Sequence, residues 1–433
     1  MRKLLVIALA VIFMGAVANT ASAYEGDFEM SGHINTGFGW QYNGKAFISA
    51  VGGAFTEEGM IGADYTQSGT TAKLTNNSTW LAYVGEVELD ITKTFGENVR
   101  LRADIDFGRF NSNSYAFAIA NMIEQAYVTV NIPVGYGLEF LVGRFNAPMG
   151  FEAVDNNDND LPFHSLIFNF LRPQNLTGVK FYYPFSDLVD LHVWIANSFR
   201  DVNSSPVGTG NLNGVLPAMG LRLGFTWGME GQESTLGIGG GASSETSHTT
   251  LVANGDKWGD FSYLGDIDFN IWVNDVFAIG GELIFRVDDA FKNAGIKATN
   301  YYYAGLLNFH YVFSDVWDGT LRYNFVRDVR GSAVAGYSGL ATVNFAPGTS
   351  QYNRYGLAGG AFVGSSAMGG AAASFHQGDL GINFHITDGA KLMAMYRFEM
   401  IIPDKAGVAT RTYANLLKNG MTHTVAANFA YDF

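Results

Sequence analysis

Chemistry concentrates in one short stretch of this chain. Glu152 is followed by Asp155-Asn156-Asn157-Asp158-Asn159-Asp160, so four carboxylates (Glu152, Asp155, Asp158 and Asp160) fall close together. Alternating Asp and Asn oxygens suit a hard cation, and structural calcium bound across Asp155–Asp160 is one reading. The mid-loop glycine and closing bidentate glutamate of a helix–loop–helix calcium site are missing, so a solvated acidic tip is the other. Directly after the acids come Leu161-Pro162-Phe163-His164 and the apolar Leu166-Ile167-Phe168-Asn169-Phe170-Leu171. Such side chains want burial, which a purely solvated loop does not give. The segment 146–173 is therefore expected to fold inward against a surrounding wall and to carry its acids with it.

Catalytic arrangements are not visible. The histidines are His33, His164, His192, His248, His310, His376, His385 and His423, and none shares a strand face with a nearby Ser in a suggestive repeat. His-Glu-x-x-His, Gly-x-Ser-x-Gly and phosphate-cradling glycine loops do not occur. Cys is 0, which removes thiolate chemistry, disulfides and Cys-x-x-Cys-His haem attachment. The expectation is a protein that is not an enzyme, with no cofactor apart from the calcium reading above.

The elements that must carry these residues are strands. Val99, Leu101, Ala103, Ile105 and Phe107 alternate with Arg100, Arg102, Asp104 and Asp106; Val87, Leu89 and Ile91 alternate with Glu86, Glu88 and Asp90. Ile267, Phe269, Ile271 and Val273 alternate with Asp266, Asp268 and Asn270, and Leu221 and Leu223 flank Arg222. Period two is the signature of a strand with unlike faces. Short turns rich in Gly, Asn, Asp and Ser fall at 95–98, 133–137, 185–188, 229–233, 274–275, 314–315 and 387–389. Seven tight turns join fourteen strands, and a first and a last strand make about sixteen, an even number as closed bacterial barrels require. A hidden hairpin around Leu340–Phe345 would raise the count to about eighteen. Long segments lie at 43–77, 111–120, 146–173, 199–216, 244–257, 288–299, 328–372 and 402–420, and are expected on the extracellular side.

Both ends of the chain agree. Phe433, Tyr431, Phe429, Ala427 and Val425 stand two apart, an apolar face that makes sense against lipid. Met1-Arg2-Lys3, an apolar run from Leu4 to Val17 and Ala21-Ser22-Ala23 read as a secretory signal peptide over 1–23, leaving 24–433 as one domain. The formal charge is −14, which argues against nucleic acid as a partner. Hydrophobic content is 48%, yet beyond the leader no apolar run is long enough for a membrane helix; the greasy residues are hidden in alternate positions. The fold expected is all-β: a transmembrane antiparallel up-and-down barrel in the outer membrane of a Gram-negative bacterium.

Val142-Gly143-Arg144-Phe145, Gly150-Phe151-Glu152, Phe168-Asn169-Phe170, Pro173 and Thr177-Gly178 together resemble the OmpL-like outer-membrane porins. Phe151 and Asn175-Leu176 depart from that family's pattern, which bears on substrate more than on fold. A weaker likeness, through Gly143-Arg144-Phe145 and Pro148, is to phosphate-selective porins. The resemblance implies a diffusion channel whose constricting loop follows the fifth strand, and trimers by analogy. The pore lining is then expected to include Glu86, Glu88, Asp90, Asp104, Asp106, Asp266 and Asp268 against Arg100, Arg102, Lys180, Arg222 and Arg322, with Glu152, Asp155, Asp158 and Asp160 at the constriction. Acid excess implies weak cation preference for small hydrophilic solutes. The competing functions are a substrate-selective porin for phosphate or another small anion, and a structural barrel acting as a sleeve for a partner.

Overall fold

The computed structural model describes residues 27–44, 65–68, 71–74, 78–107, 123–197, 199, 217–244, 261–288, 300–329, 373–403 and 420–433. The expected leader at 1–23, most of the long connections and the stretch Leu340–Phe345 lie outside them. In chain order the strands begin with β1 (Phe28–Gly44), β2 (Tyr65–Ser68), β3 (Thr71–Leu74), β4 (Ser78–Phe95), β5 (Val99–Asp106) and β6 (Ile123–Ile132). They continue with β7 (Leu138–Asn146), β8 (Asn175–Pro184), β9 (Val189–Ala196), β10 (Ala218–Met229), β11 (Gln232–Ser244) and β12 (Phe261–Asn274). The last are β13 (Phe277–Asp288), β14 (Asn300–Ser314), β15 (Trp317–Asp328), β16 (Ala373–Thr387), β17 (Ala390–Pro403) and β18 (Gly420–Asp432). Among the described residues, a short α-helix, α1, covers Leu166–Phe170, and a 3-10 turn precedes it at Asn156–Asp158.

β1 and β4–β18 form one closed antiparallel barrel of sixteen strands, in chain order, with β18 returning to β1. The wall pairs β15 directly with β16, so no extra hairpin enters between them and the eighteen-strand alternative is excluded. β2 and β3 pair only with each other, a hairpin within the long segment 43–77. Closure runs from Gly44↔Met421 to His33↔Asp432, and the amide of Phe433 still donates to Gly32 O at 2.9 Å. Every strand of the barrel thereby has a neighbour on both sides, the condition for crossing hydrocarbon with strands.

Alternation decides what each face meets. On β18 and at Phe433 just beyond it, Val425, Phe429, Tyr431 and Phe433 are exposed on the outside, while Thr424, Ala426, Asn428 and Ala430 are buried inside. β13 repeats this with Leu283 and Phe285 outward and Glu282, Ile284 and Arg286 inward. Exposed aromatics mark both rims: Tyr42, Trp80, Tyr263, Tyr301 and Tyr303 toward the long connections, and Phe185, Trp227, Phe313, Trp317 and Phe433 toward the tight turns. Two such girdles flanking an apolar belt match the two interfaces of a bilayer. Gly96, Gly231 and Gly389 take the left-handed φ values (58°, 83° and 78°) that their tight turns demand.

The Gly143 and Gly178 of the sequence motif have a mechanical reason. They face each other across β7 and β8, and a Cβ on either would overlap backbone of the strand beyond, at Ala126 O or Ile195 O. Gly143 also has φ 142°, outside the range other residues adopt readily.

Candidate functional site

Residues 147–174, connecting the fifth and sixth barrel strands, do not stay at the rim. Gly150 N donates to Asp266 Oδ1 of β12 at 3.2 Å, and Phe151 N to Glu282 Oε2 of β13 at 3.0 Å. Asn308 of β14 donates to Asp160 at 2.7 Å, and Leu166 N reaches Asn324 of β15 and Gln377 of β16 at 3.3 and 3.2 Å. Lys391 Nζ of β17 donates to Asn157 O at 2.6 Å, and Asn157 Nδ2 to Asp432 of β18 at 2.8 Å. Asn35 of β1 and Glu86 of β4 bond Asn157 and Asn156 at 3.3 Å each. A segment bonded to side chains from nine strands around the cylinder runs inside it.

Its anchor is a buried charge network. Glu152 accepts from Ser165 N at 3.0 and 3.1 Å, from Ser165 Oγ, and from Arg322 Nη1. Arg322 Nε donates to Asp379 Oδ2 at 2.9 Å, and Arg397 Nε to the other oxygen of Asp379 at 2.7 Å. Those arginines also donate to Phe163 O at 2.6 and 3.1 Å, so wall cations tie down segment backbone. Two arginines against two carboxylates leave the network neutral, and the additional hydrogen bonds satisfy charges taken out of water. Ser165 also caps α1 by accepting from Phe168 N at 3.2 Å. Arg172 closes the turn, donating to Met149 O at 2.9 Å and to Glu152 O, with its guanidinium 4.5 Å above the Phe168 ring. Gly150 lies against that guanidinium, where a Cβ would overlap it.

The greasy part of the segment has a matching wall. Leu166, Ile167 and Leu171 are buried in one cluster with inward-facing Phe145, Trp194, Leu264, Ile284, Tyr302, Leu306 and Val326. The interior is therefore apolar on this side. Phe151 lies against Gly280 of β13 and Leu161 against Gly381 of β16, each in space that a Cβ would fill.

The acids expected at a constriction separate on this scaffold. Glu152 is buried and paired with Arg322. Asp158 is exposed, and Asp160 is held by Asn308 with His310 Nδ1 at 3.4 Å. Asp155 is drawn toward the wall. Burial pushes its carboxyl well above the usual range, Glu124 and Glu86 add to the effect, and His33 opposes it. Asp155, Asp158 and Asp160 thus meet three different surroundings.

The expected lining residues fall on inward positions of their strands, in distinct settings. Arg102 Nε meets Asp104 at 2.7 Å with Asp90 at 3.4 Å, and Arg222 Nη2 meets Asp268 at 2.6 Å. Glu86, Glu88, Asp104, Asp106, Asp266 and Arg322 are buried. Arg100 is exposed and Lys180 half-buried, with its ammonium 5.5 Å from the Phe145 ring. Arg100, Arg102, Lys180 and Arg222 thus form a basic band along β5, β8 and β10. Asp379, Arg397, Arg172, Glu282, Lys391 and Glu124 were not singled out from the sequence. Arg322↔Asp379↔Arg397 in ladder register was the available signal, because opposite charges on neighbouring inward positions pair. At His310, Thr320 Oγ1 and Asp160 both approach the same nitrogen, Nδ1, so no relay through that ring is built.

Comparison with known proteins agrees with this architecture. The family described as "Putative beta-barrel porin-2, OmpL-like" matches residues 27–358. No curated protein matches the chain in sequence. Among solved structures, the outer membrane channel DcaP of Acinetobacter baumannii is similar with TM-score 0.54 and 13% identity, covering 94% of this chain and 97% of that one. A loop L8 deletion mutant of OmpT from Vibrio cholerae gives 0.52 and 12%, covering 94% and 99%. The anion-selective porin of Comamonas acidovorans gives 0.51 and 11%, covering 94% and 100%. At such identities these likenesses speak for the fold, a Gram-negative outer-membrane barrel, while the match over most of the chain speaks for kinship: the chain belongs to the OmpL-like beta-barrel porin-2 family.

Proposed function

We propose that this porin is a passive diffusion channel for small hydrophilic solutes and ions, with weak cation preference. The observation that carries the reading is the segment 147–174 running inside a closed barrel and held by wall side chains from nine strands. A segment so held narrows the passage without being free to leave it, which is what a size-limiting filter requires. Cation preference follows from the acid excess: the arginines of the Glu152 network are spent on acids there, while Asp158 stays exposed and Asp160 partly so.

A second reading rests on the basic band. Arg102 and Arg222 are paired with acids, but Arg100 and Lys180 stand on β5 and β8, away from the strands that bond the segment, and a path along them favours anions, the alternative of a phosphate-type or other small-anion porin. Planar-bilayer recording on purified protein tests both readings. Stepwise conductance supports a channel, and its absence leaves a filled sleeve or scaffold. In a salt gradient, a reversal potential of cation sign supports the first reading, and one of anion sign the second. Export by the leader, a mature chain beginning at Tyr24, a single domain from there to Phe433 and assembly as a homotrimer belong to the same proposal. Intact mass and native mass in detergent check them.

A further inference from the structure

Among the described residues, four carboxylates cluster inside the barrel where β5 ends and β6 begins. Glu86 and Glu88 stand two apart on the inner face of β4, Glu124 opens β6, and Asp155 arrives from the inward segment. One oxygen from each of the four lies within 4.8 Å of the other three. That spacing is what a cation shell imposes: two oxygens on opposite sides of calcium, each about 2.4 Å from it, are at most about 4.8 Å apart. A second observation points to a ligand. Glu88 is only 1% exposed, and its Oε2 is buried with no hydrogen-bond partner; the same is true of Asp155 Oδ1. Buried carboxylate oxygens left in that state are costly, and a bound cation satisfies them directly.

The neighbouring charges are otherwise engaged. His33 Nε2 sits 2.9 Å from Glu86 Oε2, and Arg102 is committed to Asp104 and Asp90. The donor set is all oxygen and comes from two strands and a loop, so its spread is set by flexible carboxylates. Hard cations take such donors, and calcium tolerates irregular, high-coordinate shells where magnesium demands a near-ideal octahedron.

We propose that Glu86, Glu88, Glu124 and Asp155 form a calcium site that staples the inward segment to the barrel wall at β4 and β6. The ligand set differs from a calcium loop built on Asp155–Asp160 alone, since three of the four carboxylates come from the wall. The site stands whether or not the barrel conducts.

The test is calcium binding by the full barrel in detergent after stripping with EDTA, using calcium chloride and, separately, magnesium chloride as calorimetric titrants. The expected result is one calcium per chain, a rise in the temperature at which the folded electrophoretic form is lost, and at least tenfold weaker binding in Glu88→Gln and Asp155→Asn. Asp275→Asn, in an exposed tight turn, serves as the control and binds as the parent does. Asp155 lies outside the wall, so Asp155→Asn keeps the test informative if Glu88→Gln does not fold. Absence of stoichiometric calcium binding by the parent overturns the proposal, as does unaltered binding in Asp155→Asn. Equal affinity for magnesium overturns the assignment to calcium.

Discussion

Arg322 on β15 forms a buried ion pair with Glu152 of the inward segment, both side chains being almost wholly shielded from solvent. Removing one member of such a pair strands the other and costs about 3–5 kcal/mol. The two partners are not equivalent, because Arg322 has Asp379 as a second carboxylate whereas Glu152 has only Ser165 left. Arg322→Met is therefore expected to destabilise the barrel by about 3 kcal/mol or more, and Glu152→Gln by clearly less. Urea unfolding of the detergent-folded protein measures both, and equal losses would contradict this account of the network.

Phe151 and Gly280 give a steric test of the segment's seating. The ring occupies the volume that a β-carbon at 280 would need. Gly280→Val should force the ring away at about 1–3 kcal/mol, the usual cost of overpacking. Phe151→Ala in the same chain should recover part of that loss, since the clash then has no partner. The double-mutant cycle reads the coupling, and strictly additive losses would mean that the ring and the glycine do not meet.

The wall was legible from the sequence because the large apolar side chains alternate outward with polar or small ones inward on most strands. All seven tight turns fall where Gly, Asn, Asp and Ser cluster, and those turns set the strand count. The inward course of 146–173 was readable from Leu166 to Leu171, which need cover. What they pack on was harder to see. β14 is apolar on both faces from Tyr301 to Leu307, with Tyr302 and Leu306 inward against the segment and Tyr303 and Leu307 outward. That broken alternation was visible in the sequence, but it does not by itself say which face meets lipid. Glu124 was missed because it sits in a stretch, Ile123-Glu124-Gln125-Ala126, without charge alternation. Its place beside Glu88 depends on the irregular register between β5 and β6.

Selectivity should follow exposed charge rather than total charge. Glu152 is neutralised at contact distance, so its far field is small, whereas Asp158 is open to solvent. Charges act on a passing ion over about 8 Å at physiological ionic strength. Asp158→Asn should therefore reduce cation preference more than Glu152→Gln does, and Arg100→Gln with Lys180→Gln should increase it. Reversal potentials in a tenfold potassium chloride gradient give the order, and a larger shift from Glu152→Gln than from Asp158→Asn would refute it.

Glu282 and Leu283 are adjacent on β13 yet face opposite media, and this pair tests the outward belt. Leu283 is 55% exposed on the outer face. On a water-soluble barrel an arginine there would be nearly neutral, since surface substitutions usually change stability by no more than about 0.5 kcal/mol. Against hydrocarbon the same change costs about 2–4 kcal/mol near the bilayer midplane and falls toward zero at the rims. Leu283→Arg should accordingly lower the stability of the barrel refolded into lipid vesicles by about 2 kcal/mol or more, and Phe313→Arg at the turn-side rim by less. The depth dependence is the informative part: a cost that is the same at both positions would mean that the apolar belt meets something other than a bilayer.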